Sequence, residues 1–372
     1  MTKKYGIFIT VLFCLFIFGF GVFFFAAPDR EFSEQENRYL SQFKAPTWDT
    51  LVSGKFMESF EDYVIDQFPL RDTWINLKAR AEKLLGKQEN NKVYFGTDGD
   101  TLFAQFSALS AEELEKRVDY VNSMASRTDI PVYFALIPDK SYVWANRLPA
   151  NAPFVDDSST ISAAAGLTDG AAYIDLSGAF SGDDVFYRTD HHWSTFGAYQ
   201  GYLALAGAMN GSVTVLDSEP QQVSDSFYGT TWSSSGADWI TPDSIYTWIP
   251  EGTVDVTAYP EGKPVPGQLY DESYLAKKDK YSMFLGGNQP LCILRNENAA
   301  TDKKLLVIRD SYSDSLAPFL AQDYAEVHLL DLRYYKMPPA QYAEQNGMDQ
   351  ILVLYSNANF ATDQNLFIMG MG

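Results

Sequence analysis

Short runs of apolar residues recur along this chain with helix-length segments between them, and this spacing most constrains the fold. The runs occupy Val132–Ile137, Ala172–Leu176, Leu305–Ile308, Val327–Leu332 and Ile351–Tyr355. Strands that are apolar on both faces are typical of a parallel sheet covered by helices, because neither face meets water. The pattern therefore predicts an α/β fold with a central parallel sheet.

Local signals place several other elements around this sheet. Ser110 and Glu113 form a capping box, which predicts that a helix begins after Ser110. A second helix is expected from Thr195 to Met209, with Ser194 as N-cap and Asn210-Gly211 as its stop. Val93–Phe95 and Leu102–Phe103, separated by a turn with Asp-Gly, predict a short hairpin.

The segment from about residue 212 to 298 interrupts this alternation. It is rich in Ser, Gly, Asp and Pro, and a long irregular insertion in a compact domain is usually a lid or a binding element. Its aromatic side chains have two interpretations: they stack on sugar rings, or they form a small core that fixes the loop. The residues in question are Trp232, Trp239, Tyr246 and Trp248.

The N-terminus predicts a membrane anchor. Lys3 and Lys4 precede an apolar run from Tyr5 to Ala27, which has the length of a spanning helix and exceeds that of a cleavable signal. The flanking lysines place the N-terminus inside and the bulk of the chain outside the cell membrane. A cleaved, secreted form is the alternative. We expect an anchor over residues 1–28, a helical leader over 29–92 with a helix from about Asp72 to Leu85, and a catalytic domain over 93–372.

Charge and cysteine content exclude several classes of function. The chain carries 48 acidic and 28 basic residues, a formal net charge of −20. This balance argues against a nucleic-acid partner and against docking on anionic lipid headgroups, since both need a basic face. The two cysteines, Cys14 and Cys292, provide neither a disulfide framework nor a zinc cluster.

A block with two of the chain's three histidines is the first candidate for chemistry. Asp190, His191, His192 and Trp193 are consecutive, just before the predicted helix. If the block is extended, Asp190 and His192 point the same way, and the carboxylate accepts the ring N–H and fixes the tautomer. The alternative is a helix-capping aspartate beside a packed histidine.

The second candidate is Ser311. It follows the apolar strand Leu305–Ile308 and precedes a predicted helix through Leu316 to Ala321. Nucleophiles in parallel α/β sheets lie at the carboxyl ends of strands, where the N-terminus of the next helix stabilises negative charge. The alternative is that Asp310 or Ser311 only caps the helix. Ser313 and Ser315 are weaker candidates because they fall on the helix itself.

The combination resembles a known family. The Asp190–Trp193 block with Asp310-Ser311 is similar to the DHHW protein family and to the alginate O-acetyltransferase branch of the SGNH hydrolase superfamily. The resemblance implies a three-layer α/β/α, flavodoxin-like fold and a Ser311-His192-Asp190 triad. It also implies acyl transfer to an extracytoplasmic polysaccharide, with a membrane-bound O-acyltransferase as acyl supplier.

Further site residues are expected around this triad. The related motif usually has glycine where this chain has Arg309, which either crowds the oxyanion hole or helps to bind charge. The Ser311 N–H, Gly287 and Asn288 are candidates for the oxyanion hole. The residues expected to contact substrate are Arg309, Tyr312, Trp193, Lys140, Trp232 and Asn288.

Other functions stay open at this level. The same triad serves a carbohydrate esterase when water replaces the acceptor sugar, and a catalytically silent glycan-binding or assembly protein also keeps such a fold. His191 beside a carboxylate is compatible with a metal ligand, but no second cluster of His, Cys and Asp accompanies it. We therefore expect no metal and no cofactor.

Overall fold

The computed structural model describes residues 3–249 and 252–371. Met1, Thr2, Pro250, Glu251 and Gly372, which fall within the predicted anchor, insertion and catalytic domain, lie outside the described residues. The chain forms two compact units. The first contains the residues up to Asn91 together with Ser233–Asp238, and the second contains Lys92–Trp232 and the residues from Trp239 onward.

The first unit is mainly helical, as the sequence predicts for the anchor and leader. Its elements in chain order are α1 Lys3–Ala26, β1 Phe32–Ser33, β2 Arg38–Tyr39, α2 Trp48–Val52, α3 Lys55–Asp66, α4 Arg71–Leu84 and β3 Glu89–Asn90. By length and composition, α1 is a candidate membrane span. The buried carboxylate of Asp66 accepts hydrogen bonds from Arg38 at 2.5 and 2.9 Å, and Arg71 pairs with Glu36. These ion pairs connect residues 36–38 with residues 66–71.

The second unit holds the sheet and its helices. Its strands are β4 Val93–Phe95, β5 Leu102–Ala104, β6 Val132–Ile137, β7 Ala172–Tyr173, β8 Gln221–Phe227, β9 Asp243–Thr247, β10 Val254–Ala258, β11 Val265–Pro266, β12 Leu291–Asn296, β13 Thr301–Arg309, β14 Tyr324–Leu330 and β15 Gln350–Ser356. Its helices are α5 Ala111–Ala125, α6 Lys140–Val143, α7 Asp157–Leu167, α8 Thr195–Asn210, α9 Thr230–Ser235 (which ends in the first unit), α10 Ser313–Asp323, α11 Pro339–Asn346 and α12 Asn357–Thr362.

The central sheet has eight strands in the order β11-β10-β12-β14-β13-β15-β6-β7. The strands from β14 to β7 run parallel, as predicted, and each neighbouring pair is in continuous or nearly continuous register. On the other side, β12, β10 and β11 extend the sheet with antiparallel pairing. The sheet is therefore mixed, and its parallel part extends from β14 to the edge strand β7.

Helices cover both faces and make three layers. Along β13, Leu305 and Val307 pack in one core with α8 and α10, whereas Leu306 and Ile308 pack in the other core with α5, α7 and α11. This alternation follows from the pleat of the strand. The α/β/α architecture that the resemblance implies is confirmed.

Most predicted elements are present, and one prediction needs correction. Ser110 and Glu113 form a reciprocal capping box at α5, and α8 begins after Ser194 and ends at Gly211 with a φ of 69°. The expectation of an irregular insertion over 212–298 is wrong in part. This segment contributes the β8–β9 hairpin and the strands β10, β11 and β12, which join the main sheet.

Candidate active site

Ser311 lies at the carboxyl end of β13, between this strand and α10. The carboxylate of Asp310 fixes the loop: Oδ1 accepts the Tyr312 N–H at 3.0 Å, and Oδ2 accepts from the Ser356 N–H and from Asn359 Nδ2, each at 2.8 Å. Asp310 thus has the structural role that the sequence left open for it. It connects the turn before α10 to the start of α12.

The structure brings Ser311, His192 and Asp190 into one hydrogen-bonded row. His192 Nε2 lies 2.7 Å from Ser311 Oγ, and His192 Nδ1 lies 2.5 Å from Asp190 Oδ1. The three residues are buried, with 8%, 6% and 1% of their surfaces exposed, so the row is shielded from bulk water. The imidazole is therefore placed to take a proton from the hydroxyl while the carboxylate holds its other nitrogen.

Asp190 and His192 meet through a bend rather than an extended segment. Residues 188–192 form successive bends, and Asp190 Oδ1 also accepts the His192 backbone N–H at 3.0 Å. The extended conformation under which the sequence would place both side chains on one face is therefore not the one observed. A short polar side chain that accepts from the backbone two residues on produces a local turn, which brings carboxylate and imidazole to the same side.

The second carboxylate oxygen of Asp190 is held by the segment after β8. Oδ2 accepts the Thr230 N–H at 2.7 Å and the Thr230 hydroxyl at 2.9 Å. Gly229 is required for this approach, since a Cβ there would lie 2.2 Å from Asp190 Cβ. Burial raises the pKa of Asp190, but the neighbouring His191 and His192 outweigh burial and hold this pKa well below its usual range. The carboxylate stays ionised.

Lys140 holds the backbone of residues 187–190 in place. Its buried ammonium donates to the carbonyl oxygens of Tyr187 at 2.9 Å, Arg188 at 3.3 Å and Asp190 at 2.7 Å. Burial lowers the pKa of Lys140 to about 8. The expected ligand contact is therefore replaced by three backbone contacts, and Lys140 positions the carboxylate of the row.

Tyr281, Tyr312 and Trp193 pack around the row. The Tyr281 ring stacks on the His192 ring, and its hydroxyl donates to the Ser311 carbonyl at 3.0 Å. The Tyr312 hydroxyl donates to the His191 carbonyl at 2.5 Å, and the Trp193 indole N–H donates to the Tyr312 carbonyl at 3.0 Å. Trp193 and Tyr312 are 0% and 2% exposed, so their observed contacts support the site from within instead of facing a substrate.

His191 lies beside the row without completing it. Its Nδ1 is 2.8 Å from the Thr230 hydroxyl, and burial together with His192 lowers the pKa of His191. Donor atoms of Asp190, His191 and His192 lie within 4.8 Å of one another. However, His192 Nε2 faces Ser311, and both Asp190 oxygens accept hydrogen bonds, so the contacts of the row account for this cluster.

Arg309 is fully buried and does not reach the surface. Its Nη1 lies 2.8 Å from Asp314 Oδ1 and donates to Asn288 Oδ1 at 2.9 Å. The expected contact of Arg309 with substrate is therefore replaced by an internal ion pair beneath the start of α10. Asn288 itself is exposed and keeps its place as a candidate for substrate contact.

The candidates for an oxyanion hole differ in availability. The Gly287 N–H donates to the Phe284 carbonyl at 3.1 Å and is occupied. Within residues 3–249 and 252–371 the Ser311 N–H donates to no carbonyl or side chain. The Ser311 N–H, two residues before α10, is thus the free backbone donor next to the hydroxyl.

The aromatic residues of the 212–298 segment mostly pack on one another and on the core. Trp232 is half-buried, its ring lies 4.4 Å from that of Tyr228, and Lys278 lies 4.3 Å from it. Trp248 contacts Tyr199 and Phe319, and Trp239 contacts Phe95. These contacts favour the small-core interpretation for Trp239 and Trp248.

The sequence did not identify Gly229, Thr230 or Tyr281 as site residues. Thr230 and Tyr281 lie 40 and 30 positions from the side chain or backbone that they contact. Thr230 acts through its backbone N–H and hydroxyl, and Tyr281 through its hydroxyl and ring face, and no short sequence motif indicates such contacts. The one available signal was Gly229 before Thr230, which suggests a turn.

A Ser-His-Asp row at the carboxyl edge of parallel strands, between two helical layers, resembles the site of an SGNH hydrolase-like domain. The family model of the SGNH hydrolase-like domain of acetyltransferase AlgX matches residues 95–235, and the DHHW protein model matches residues 166–330. The chain is therefore related to the DHHW proteins and to the AlgX and AlgJ proteins, as the sequence resemblance predicted.

Individual relatives agree with this relationship. The probable alginate O-acetylase AlgJ of Pseudomonas aeruginosa is 29% identical over 42% of this chain, and that of Pseudomonas syringae is 24% identical over 50%. The alignments span only 43% and 50% of these relatives. The crystal structure of a DHHW family protein from Eubacterium siraeum superposes with a TM-score of 0.65 at 19% identity, covering 75% of this chain and 95% of that chain. PatB1 of Bacillus cereus, solved with a sulfonyl adduct, gives 0.61 at 20%, covering 73% and 96%.

Proposed function

We propose that this protein is an SGNH-type O-acyltransferase that acylates, most simply acetylates, hydroxyl groups of a cell-envelope polysaccharide. Ser311 is the nucleophile, His192 the general base and acid, and Asp190 the residue that orients His192. The observation that carries the proposal is the pair of contacts on the two ring nitrogens of His192, 2.7 Å to Ser311 Oγ and 2.5 Å to Asp190 Oδ1.

In the first half-reaction Ser311 takes the acyl group from a donor ester. His192 Nε2 accepts the hydroxyl proton while Oγ attacks the acyl carbonyl. The bond to the donor oxygen then breaks, and the imidazolium returns the proton to that oxygen. The ionised Asp190 stabilises the imidazolium between these steps. The products are the deacylated donor alcohol and acyl-Ser311.

In the second half-reaction a sugar hydroxyl replaces the donor. His192 takes its proton, the sugar oxygen attacks acyl-Ser311, and the imidazolium returns the proton to Ser311 Oγ. Each tetrahedral intermediate carries an oxyanion beside Ser311. The free Ser311 N–H and the N-terminus of α10 favour negative charge at that point. If water attacks instead, the same residues perform ester hydrolysis.

The relatives support the chemistry and the acceptor class. The curated relatives are named alginate O-acetylases, which makes a polysaccharide hydroxyl the natural acceptor for this chain as well. Because the alignments span about half of those proteins, the acceptor and the acyl supply are part of the proposal. A membrane-bound O-acyltransferase that carries acyl groups across the membrane is the partner we propose as supplier.

The placement of the enzyme is also part of the proposal. Residues 1–28 anchor the chain through α1, residues 29–92 form the leader, and residues 93–372 form the catalytic domain on the extracytoplasmic side. The apolar α1, which begins with Lys3 and Lys4, supports this orientation. An alkaline phosphatase fusion after residue 92 is expected to be active in cells. Activity only of a cytoplasmic reporter at the same position would reverse the orientation.

The Ser311→Ala variant of the full-length protein in detergent tests the mechanism. With p-nitrophenyl acetate, wild type is expected to gain one acetyl group, detectable by mass spectrometry of the peptide with Ser311, and the variant is expected to gain none. Ser244→Ala, in β9, is the matched control and is expected to behave as wild type. Wild type that never becomes acetylated would refute the enzyme and favour a glycan-binding protein. Acetyl transfer to water but never to added oligosaccharide would favour an esterase.

A further inference from the structure

A narrow cavity at the same edge of the sheet has no part in the proposed mechanism. We call it the Asn357 cavity and define it by Gln105, Phe106, Asp139, Phe154, Asp157 and Asn357. Asn357 directly follows β15 and Asp139 follows β6 by two residues; these neighbouring strands are parallel, with Ser356 paired to Ile137. The cavity therefore opens where ligands of parallel α/β sheets bind.

The cavity is connected to the proposed triad on two sides. Lys140, next to Asp139, donates to the Asp190 carbonyl at 2.7 Å. Ser356, next to Asn357, donates through its N–H and hydroxyl to Asp310, the residue before Ser311. Two cavity residues, Asp139 and Asn357, are thus each adjacent in sequence to a residue that holds Asp190 or Asp310 in place. This adjacency suits a subsite for a substrate that extends past Ser311.

Asn357 is the observation that points to a ligand. Its side chain lines the cavity and only 6% of the residue is exposed, yet neither its amide oxygen nor its amide nitrogen has a well-aligned hydrogen-bond partner in the described part of the chain. Its amide makes at most one poorly aligned hydrogen bond, to Asp157, and this contact lowers the pKa of that carboxyl. A buried amide without well-aligned hydrogen bonds is unfavourable, and a ligand with hydroxyl groups would supply them.

The acidic residues of the cavity limit the charge of the ligand. Asp157 Oδ2 accepts the Asp139 N–H at 2.5 Å, and Asp139 Oδ1 accepts the Ser141 N–H at 2.9 Å. Neither carboxyl forms an ion pair within residues 3–249 and 252–371. Burial raises the pKa of both groups, that of Asp157 to about 7, since a second charge is unfavourable here. A third carboxylate in the cavity would be strongly disfavoured.

Two exposed aromatic rings complete the cavity. Phe106 and Phe154 line it and are 37% and 48% exposed, so their rings are available for contact with the apolar face of a sugar. We propose that the Asn357 cavity binds a sugar unit that carries no negative charge, with hydroxyl groups on Asn357 and Asp157 and a ring face on Phe154. This inference rests on the proposed function, since the bound unit belongs to the acceptor glycan. It excludes a polymer of uronic acids, such as alginate.

Binding to the full-length Ser311→Ala variant tests this inference without any turnover. Isothermal titration calorimetry would use β-1,4-linked tetrasaccharides of glucose, glucosamine, N-acetylglucosamine and galacturonic acid. We expect at least one of the first three to bind, and the galacturonic acid oligomer to bind about tenfold more weakly or not at all. Adding Asn357→Ala is expected to weaken binding about tenfold, the loss expected for buried hydrogen bonds.

Surface variants keep the test independent of folding. Phe154→Ala changes an exposed ring and is expected to weaken binding, whereas Phe367→Ala, similarly exposed at 47% but outside the cavity, is expected to leave it unchanged. The inference is overturned if none of the three uncharged or cationic oligomers binds, if Phe154→Ala has no effect, or if the galacturonic acid oligomer binds equally well. Because Ser311 is absent throughout, failure of the proposed catalysis in wild type would leave these binding results standing.

Discussion

The phenol ring of Tyr281 lies flat on the imidazole of His192, with ring centroids 3.9 Å apart and planes 9° from parallel. The same side chain donates its hydroxyl proton to the Ser311 carbonyl at 3.0 Å. Burial raises the pKa of Tyr281 well above its usual value, so the phenol stays a donor. One residue thus restrains both the proposed base and the backbone of the proposed nucleophile.

Two substitutions of Tyr281 that remove first the hydrogen bond and then also the ring contact should lower activity in two steps. Tyr281→Phe keeps the stacking and loses one hydrogen bond, so kcat/KM with p-nitrophenyl acetate should fall about fivefold to tenfold. Tyr281→Leu also loses the flat contact with His192 and should fall about tenfold further. Tyr334→Phe and Tyr334→Leu, at a tyrosine that is 56% exposed, are matched controls and should retain wild-type activity. Equal activity of the Tyr281→Leu variant and wild type would contradict a positioning role.

Gly229 is predicted to be indispensable for the position of Asp190. A methyl group at residue 229 would overlap the Asp190 side chain, and misplacing a catalytic group by about 1 Å can cost about 100-fold in rate. Gly229→Ala should therefore lower kcat about 100-fold with a smaller change in KM. Rates and Michaelis constants on the same chromogenic ester provide the measurement.

The matched control for this variant is Gly178→Ala. A Cβ at residue 178 meets nothing within 4 Å, and the backbone there needs no left-handed conformation. This variant should have wild-type kinetics and thermal stability. If Gly229→Ala also keeps wild-type kinetics, Asp190 does not need the position that the structure gives it.

The sequence predicted the parallel part of the sheet because β6, β15 and the second half of β13 are buried on both faces and have apolar sequences. It missed β10 and β12 for a physical reason. Val254–Ala258 alternates with Asp255 and Thr257, and β12 pairs antiparallel with β14, more than thirty residues away in sequence. Such strands are specified by long-range register, which composition does not reveal.

The same distinction applies to the site. Asp190, His192 and Ser311 were identifiable because histidine is scarce and a strand end followed by serine is a recognisable position. The role of Lys140 was not, because an ammonium that binds three carbonyl oxygens depends on the conformation of residues 187–190. Arg309 was misassigned for a related reason. A cation beside a motif suggests a ligand, but the structure places Asp314 next to it.

The stability of the protein should depend on Asp157 in a defined pH range. The folded-state pKa of about 7 exceeds the unfolded value, so the folded protein holds an extra proton between about pH 4 and pH 7. The resulting stabilisation is complete below this range and lost as the pH rises through 7. Asp157→Asn keeps the acceptor for the Asp139 N–H without a charge, and should melt about 2–4 °C above wild type at pH 8.

At pH 5 this difference should shrink or change sign, because wild-type Asp157 is then protonated. Asp225→Asn, at an exposed aspartate of β8, serves as control and should show no such pH dependence. Melting curves by circular dichroism across pH 5–8 provide the measurement. If the difference in melting temperature between Asp157→Asn and wild type stays constant over this range, the Asp157 carboxyl does not titrate between pH 5 and pH 8.

The buried pair of Arg309 and Asp314 should be far more important for stability than an exposed pair. With 0% and 2% of their side chains exposed, removing the cation leaves a buried carboxylate uncompensated, at a cost of about 3–5 kcal/mol. Arg309→Met should lower the free energy of unfolding in urea by that amount at pH 8. Arg295→Met, which removes an ion pair to Glu326 at 3.7 Å from a side chain that is 45% exposed, should cost less than about 1 kcal/mol.

The loss in Arg309→Met should itself depend on pH. Burial raises the pKa of Asp314 to about 6 even though Arg309 opposes this shift, so removing Arg309 raises the pKa further. At pH 5 the carboxyl is then protonated in the folded variant, and the loss should be smaller than at pH 8. The double variant Arg309→Met/Asp314→Asn removes both charges and should recover most of the lost stability at pH 8. If it remains as unstable as the single variant, the cost comes from packing around Arg309, and the ion pair is not what holds the start of α10.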